Sequence, residues 1–437
     1  MRVCIIFLSC VSLVYPGGPR VNTRFGPVVG TYKTSEPGSR TFSAFEGIQY
    51  GLPPTDSLRF QPPRPSELVF TSDSPLEAIK CGNECPQLDR ASGDFTGHED
   101  CLYLNVFSSE TVFDGESSLP VMVWVHGGGF QFGSASSEVY GPERILEEDV
   151  VLVTVNYRLG ALGFLTSGDQ EAPPNVGLLD QRLALGWVRN NIRAFGGDPD
   201  RVTLLGESAG AVSVMAHLAS PGSQGLFHRA IAMSGVWGEA PFLHLSRPPA
   251  HYSRALAARL GCQDLEDTKL LLTCLRSKDA KQIVTESQHF ATFDFIPEPF
   301  IPVVDDWAET PFLPVPLHEV WTSPLSPEVP LMIGGNKDDG VLFLLQFLKD
   351  EKLFARVNDN LSTELPALLL GSIMMILRIS VMWVLQVLTR MLRSQTRERL
   401  PPPRSSLTPT SREPGPSPAR SPVRWSGSSP TSTSSPR

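Results

Sequence analysis

From about residue 26 to residue 371, short apolar runs alternate with stretches whose apolar residues recur at helical spacing. Residues 121–125 read Val-Met-Val-Trp-Val, and 150–155 read Val-Val-Leu-Val-Thr-Val. Residues 202–205, 230–233 and 330–333 repeat the type. Runs this short, without polar alternation, suit strands buried on both faces. Between them, residues 178–194 place Leu179, Leu183, Trp187 and Val188 on one helical face, and Gly196-Gly197 ends the pattern. Residues 208–218 and 250–260 are further helical stretches. This alternation predicts an α/β fold with a mostly parallel sheet flanked by helices.

Beyond residue 371 the pattern fails. In residues 367–388 only Arg378 and Gln386 are strongly polar, and residues 401–437 hold ten Pro, eleven Ser and four Thr. The latter composition cannot bury a core and predicts disorder. Charge breaks at the same place. The net charge of −9 conceals +8 over 378–437, from ten Arg, no Lys, two Glu and no Asp, and −17 over residues 1–377. An acidic main body speaks against nucleic acid as the partner.

Residues 1–16 read as a secretory signal: Arg2, an apolar stretch too short to span a bilayer, then Pro16-Gly17-Gly18-Pro19. A secreted chain enters an oxidising compartment. Five cysteines remain after the signal, namely Cys81, Cys85, Cys101, Cys262 and Cys274. Cys85 with Cys101 and Cys262 with Cys274 would each close a short loop, worth about 3 kcal/mol on the chain-entropy model. Cys81 is left over, either free or competing with Cys85. Cys81 and Cys85 lack a second ligand pair for zinc, so no metal site is expected.

Gly206-Glu207-Ser208-Ala209-Gly210 follows a predicted strand and opens a predicted helix. That is the setting in which G-x-S-x-G presents a nucleophilic serine on a sharp turn. His126-Gly127-Gly128-Gly129-Phe130 also follows a strand, and consecutive glycines let backbone N–H groups approach a ligand as an oxyanion hole requires. With Glu99-Asp100-Cys101-Leu102-Tyr103-Leu104-Asn105, Asn156-Tyr157-Arg158-Leu159-Gly160 and Met233-Ser234-Gly235, these motifs resemble the type-B carboxylesterases, the family that includes the cholinesterases. The resemblance implies an α/β-hydrolase domain over residues 21–371, hydrolysis of carboxylic esters through an acyl-enzyme, and no cofactor. It implies Ser208 as nucleophile, Gly128, Gly129 and Ala209 as oxyanion donors, and disulfides Cys85–Cys101 and Cys262–Cys274. In Gly334-Gly335-Asn336-Lys337-Asp338-Asp339-Gly340 the family places its triad acid before the final glycine, usually as Glu; here it is Asp339.

Chain order on this fold is Ser, acid, His. The eight histidines are 98, 126, 217, 228, 244, 251, 289 and 318, and none follows Asp339. The chain is therefore expected to be an incomplete, weakly active family member. Residues 86–100 contain no Trp, which speaks against choline esters and leaves small apolar or aryl esters as the expected substrates. Asn360 heads the sequon Asn360-Leu361-Ser362. Two accounts of 372–437 compete. One is a membrane anchor through 367–388, opposed by Arg378 near its middle, at about 2.5–3.5 kcal/mol. The other is a shifted frame, because reading one base early across 373–376 forces an acidic (Tyr, His or Asn)-Asp-Asp. The rival functional class is a non-catalytic adhesion or binding protein on the same fold.

Overall fold

The computed structural model describes residues 17–235, 247–290, 299–316, 319, 328–337 and 339. Residues 1–16, expected to be a signal, Asn360, residues 367–388 and the Pro/Ser-rich tail lie outside the described residues.

Among the described residues eight strands form the central sheet: β1 (Thr31–Thr34), β2 (Thr41–Gln49), β3 (Tyr103–Ser108), β4 (Leu119–Val125), β5 (Val151–Val155), β6 (Gly197–Glu207), β7 (Arg229–Met233) and β8 (Leu331–Gly334). Their spatial order is β8-β7-β6-β4-β5-β3-β2-β1. The five strands β8, β7, β6, β4 and β5 are parallel. The remaining three add antiparallel to one edge. The parallel strands are the ones the apolar runs predict. β2 and β3 escape that reading because polar residues face inward along them. Ser43, Glu46, Asn105 and Ser108 are buried. Glu46 pairs with Lys33 at 2.6 Å, and Asn105 donates to Ala135 O (2.9 Å) and to Thr154 Oγ1 (3.0 Å).

The described helices are α1 (Gly160–Phe164), α2 (Val176–Asn191), α3 (Ala209–Ala219), α4 (Pro249–Arg259), α5 (Thr268–Arg276) and α6 (Ala280–Ser287). α2 is shorter than the pattern predicts: its last turn tightens over Ile192–Phe195, and Gly196, at φ +80°, stops it. Its inward face also differs. Leu179 and Leu183 are only half-buried, while Leu178, Asp180, Gln181 and Leu185 point into the core. The rotation follows from two polar anchors. Arg158 holds Asp180 through paired bonds of 2.7 and 2.8 Å, and Gln181 lies 3.1 Å from His217. Buried charge is tolerated only when so paired.

Away from the sheet, Arg59 joins Glu99 by two bonds and donates to the carbonyls of Leu275, Arg276 and Lys278 at the end of α5. A cation on the last carbonyls of a helix is favourably placed. Cys85–Cys101 and Cys262–Cys274 are disulfides, and Cys81 is free.

Candidate active site

β6 ends at Glu207 and α3 begins at Ala209, so Ser208 is the single residue between strand and helix. Its backbone sits at φ 55°, ψ −121°, a conformation L-residues rarely adopt. The turn is held from both sides: Ser208 N–H donates to Met233 O on β7 (2.9 Å), and Ser208 O accepts from Val212 N–H in α3 (3.0 Å). A Cβ on Gly210 would lie 2.1 Å from Val125 O, and one on Gly206 would lie 2.5 Å from the Gly210 carbonyl. The flanking glycines are therefore steric requirements of the elbow.

β4 lies beside β6, so its C-terminal end opens beside the elbow. Gly128 and Gly129 follow at φ +109° and +60°. A Cβ on Gly128 would meet Phe132 O at 2.1 Å. His126 is buried under this turn, stacked on Tyr157 at 4.4 Å, with Nδ1 2.8 Å from Gly127 O. A carbonyl only accepts, so Nδ1 carries the proton. Burial pushes the His126 pKa down to about 4, so the ring is neutral at pH 7. Ala209, at the first position of α3, has an N–H that no intrahelical carbonyl satisfies.

Asp339 lies on the turn after β8. Asn336 donates to it through backbone N–H and side-chain Nδ2, both at 3.1 Å. A hydrogen bond from the Ser234 hydroxyl, assisted by those from Asn336, holds its carboxyl below the ordinary range. Ser234 N–H in turn donates to Gly334 O at 2.7 Å, tying the ends of β7 and β8 together. Ser208, the glycine turn and Asp339 thus all follow C-terminal ends of parallel strands of one sheet, where open α/β sheets build sites.

Two groups beside Ser208 escape the motif reading. Glu207 precedes the serine, and desolvation together with the nearby Asp339 charge raises its pKa. Tyr140 is half-buried, and desolvation followed by the Glu207 charge raises its pKa, against a bond from Gly127 N–H. The variable position of G-x-S-x-G carries no signal for Glu207, and Tyr140 sits in no motif.

The described histidines are engaged elsewhere. His98 Nδ1 accepts from Asp100 N–H, and His228 Nδ1 from Val202 N–H. His217 is buried between Ser223 and Gln181. His289 pairs with Glu286, and His251 packs on Tyr252. His244 and His318 lie outside the described residues. Among the described residues no group of His, Cys, Asp or Glu is placed to hold a metal ion, and no helix is long and apolar enough to cross a membrane. A cavity of about 120 Å³ beside Cys81, Asn105 and Asn156 shares no residue with the elbow or glycine turn.

Residues 17–372 match the family model described as the carboxylesterase family. Curated relatives include a carboxylic ester hydrolase of Bombus ignitus, 40% identical over 84% of this chain and 65% of its own length. A juvenile hormone esterase of Tribolium castaneum is 38% identical over 79% of this chain and 59% of its own. A venom carboxylesterase-6 of Apis mellifera is 36% identical over 84% and 65%. The chain therefore spans slightly under two thirds of the relatives it matches.

Proposed function

The chain belongs to the carboxylesterase family and has its α/β-hydrolase fold, and we propose that it is a secreted carboxylic-ester hydrolase built to work through an acyl-enzyme on Ser208. In this reading Ser208 Oγ attacks the ester carbonyl. The N–H groups of Gly128, Gly129 and Ala209 receive the developing oxyanion. The strained φ of Ser208, the glycine turn beside it and the free N–H at the start of α3 support these roles. Asp339 would orient an imidazole and stabilise it when protonated.

One observation limits the activity of the 437-residue polypeptide: residues 340–437 contain no histidine, and the described histidines have other partners. Loss of the general base costs on the order of a million-fold in related triad chemistry, or about 8 kcal/mol of transition-state stabilisation. The same observation favours a second reading, a non-catalytic binding protein on this fold. The substrate class is small apolar or aryl esters, because the loop between Cys85 and Cys101 carries no Trp to hold a quaternary ammonium. We extend the proposal to the segment from 372 onward, read as a shifted frame rather than an anchor, since an anchor does not account for the loss of Asp, Lys and His together.

Hydrolysis of p-nitrophenyl butyrate by the purified polypeptide, beside Ser208→Ala, tests the reading. A rate far below ordinary esterase turnover, only a little above the Ser208→Ala background, is expected. Turnover at ordinary esterase rates that vanishes in Ser208→Ala would overturn it.

A further inference from the structure

We propose that in this polypeptide Glu207 is the group that takes the proton from Ser208, giving a slow serine-dependent esterolysis. The inference rests on the preceding reading of Ser208 as nucleophile and deepens it. Both side chains border the space beside Gly127. A Cβ built there would lie 2.7 Å from Glu207 Oε2 and 3.1 Å from Ser208 Cβ, so carboxylate and nucleophile border one gap that only a glycine leaves open. The gap borders the glycine turn and is reached by solvent, since Glu207 is exposed and Ser208 half-exposed. No described histidine competes for the position.

The charged and titratable groups facing Glu207 set its basicity. Asp339, on the turn after β8, is acidic and stays ionised. Its negative charge adds to desolvation in raising the Glu207 pKa. Tyr140, on the segment after the glycine turn, stays protonated because desolvation and the Glu207 charge both oppose its ionisation. A carboxylate made more basic by such neighbours is a better proton acceptor near neutral pH than an ordinary glutamate.

The step balances without an added reactant. The Ser208 O–H bond breaks, its proton passes to Glu207, and Oγ bonds to the carbonyl carbon as the carbonyl oxygen becomes an oxyanion. On collapse the ester C–O bond breaks, and the leaving alkoxide takes the proton back from Glu207. Water then repeats the sequence against the acyl-enzyme, delivering its proton to Glu207 and finally to Ser208.

The test is p-nitrophenyl acetate hydrolysis by the full polypeptide, Ser208→Ala and Glu207→Gln from pH 4 to 9, with unfolding midpoints measured alongside. The wild-type rate is expected to exceed Ser208→Ala and to rise with pH to a plateau, with a midpoint above the ordinary glutamate value. Glu207→Gln is expected to lose about a hundredfold of the serine-dependent rate, with the pH-dependent limb gone and the unfolding midpoint kept. The wild-type profile stands as evidence even if the variant misfolds: a serine-dependent rate flat from pH 4 to 7 would overturn the proposal. A weak serine-dependent rate unchanged in Glu207→Gln would overturn this proposal alone, as would a wild type indistinguishable from Ser208→Ala at every pH. An ordinary esterase rate lost in Ser208→Ala would overturn the preceding reading as well, because a different base would then be acting.

Discussion

Ser208 stands at a backbone conformation that strand and helix enforce from either side, and Gly210 is the residue that lets them do so. A methyl group there would meet Val125 O at 2.1 Å, and backbone cannot give way as a flexible side chain can. Gly210→Ala is expected to cost roughly 1–3 kcal/mol, the usual range for overpacking, and a urea unfolding curve checks it. An unchanged midpoint would mean that the elbow is not closed as described. At this scale the motifs make the Ser208 elbow and the glycine turn legible, because both need residues with small or absent side chains. Asp339 is legible only through the resemblance, since a carboxylate on a turn has no spacing signature. Glu207 and Tyr140 are not legible at all. Their importance arises from neighbours that come close only once β4, β6 and the turn after β8 are assembled.

At the scale of elements, the parallel strands could be read from sequence because their runs are uniformly apolar, whether fully buried as in β5 or exposed at the edge as in β8. β2 and β3 could not, because their interior positions include Glu46 and Asn105, each satisfied by a partner distant in sequence. The face of α2 was displaced for the same reason: Asp180 points inward to meet Arg158, whose side chain is also buried. That pair anchors α2 to the segment after β5. Asp180→Asn leaves the Arg158 charge without its counter-ion and is expected to destabilise by about 3–5 kcal/mol. Chemical denaturation of the variant measures this, and a cost below about 1 kcal/mol would contradict the anchoring role. The disulfide loops belong to this scale too. Peptide mapping without reduction is expected to recover Cys85 with Cys101 and Cys262 with Cys274, and Cys81 alkylatable. Recovery of Cys81 linked to Cys101 would refute the pairing.

At the scale of the whole molecule, stability should depend on pH through two buried imidazoles. Burial lowers His126 to about 4, and burial with the Arg182 charge lowers His217 to about 3, from 6.5. Both are depressed, so the unfolded chain binds more protons than the native one between the two values. Stability is therefore full above about pH 6.5 and falls as pH drops toward the native values. For His126 alone the fall is about 3 kcal/mol, at about 1.4 kcal/mol per pH unit. Urea midpoints at pH 7 and pH 4.5 are expected to differ in that direction, and His217→Gln is expected to flatten the difference. Equal midpoints would show that these rings are not held neutral by the fold.

The same scale exposes a sheet edge. On β8, Met332 and Ile333 are 67% and 50% exposed, unlike the buried residues of β5 in the middle of the sheet. β8 has no second neighbour among the described residues. Asp339, which follows it, lies on a turn after this strand and accepts hydrogen bonds from Asn336, and no described histidine is bonded to it.

On the proposed reading, Ser208 is presented for nucleophilic attack without the imidazole that normally activates it. Labelling by a fluorophosphonate reports that activation directly, because the probe bonds to the serine at a rate set by removal of its proton. Timed labelling followed by mass analysis of the peptide carrying Ser208 is the measurement. The adduct is expected to form on Ser208 slowly, over hours at micromolar probe. Complete labelling of Ser208 within minutes would contradict it.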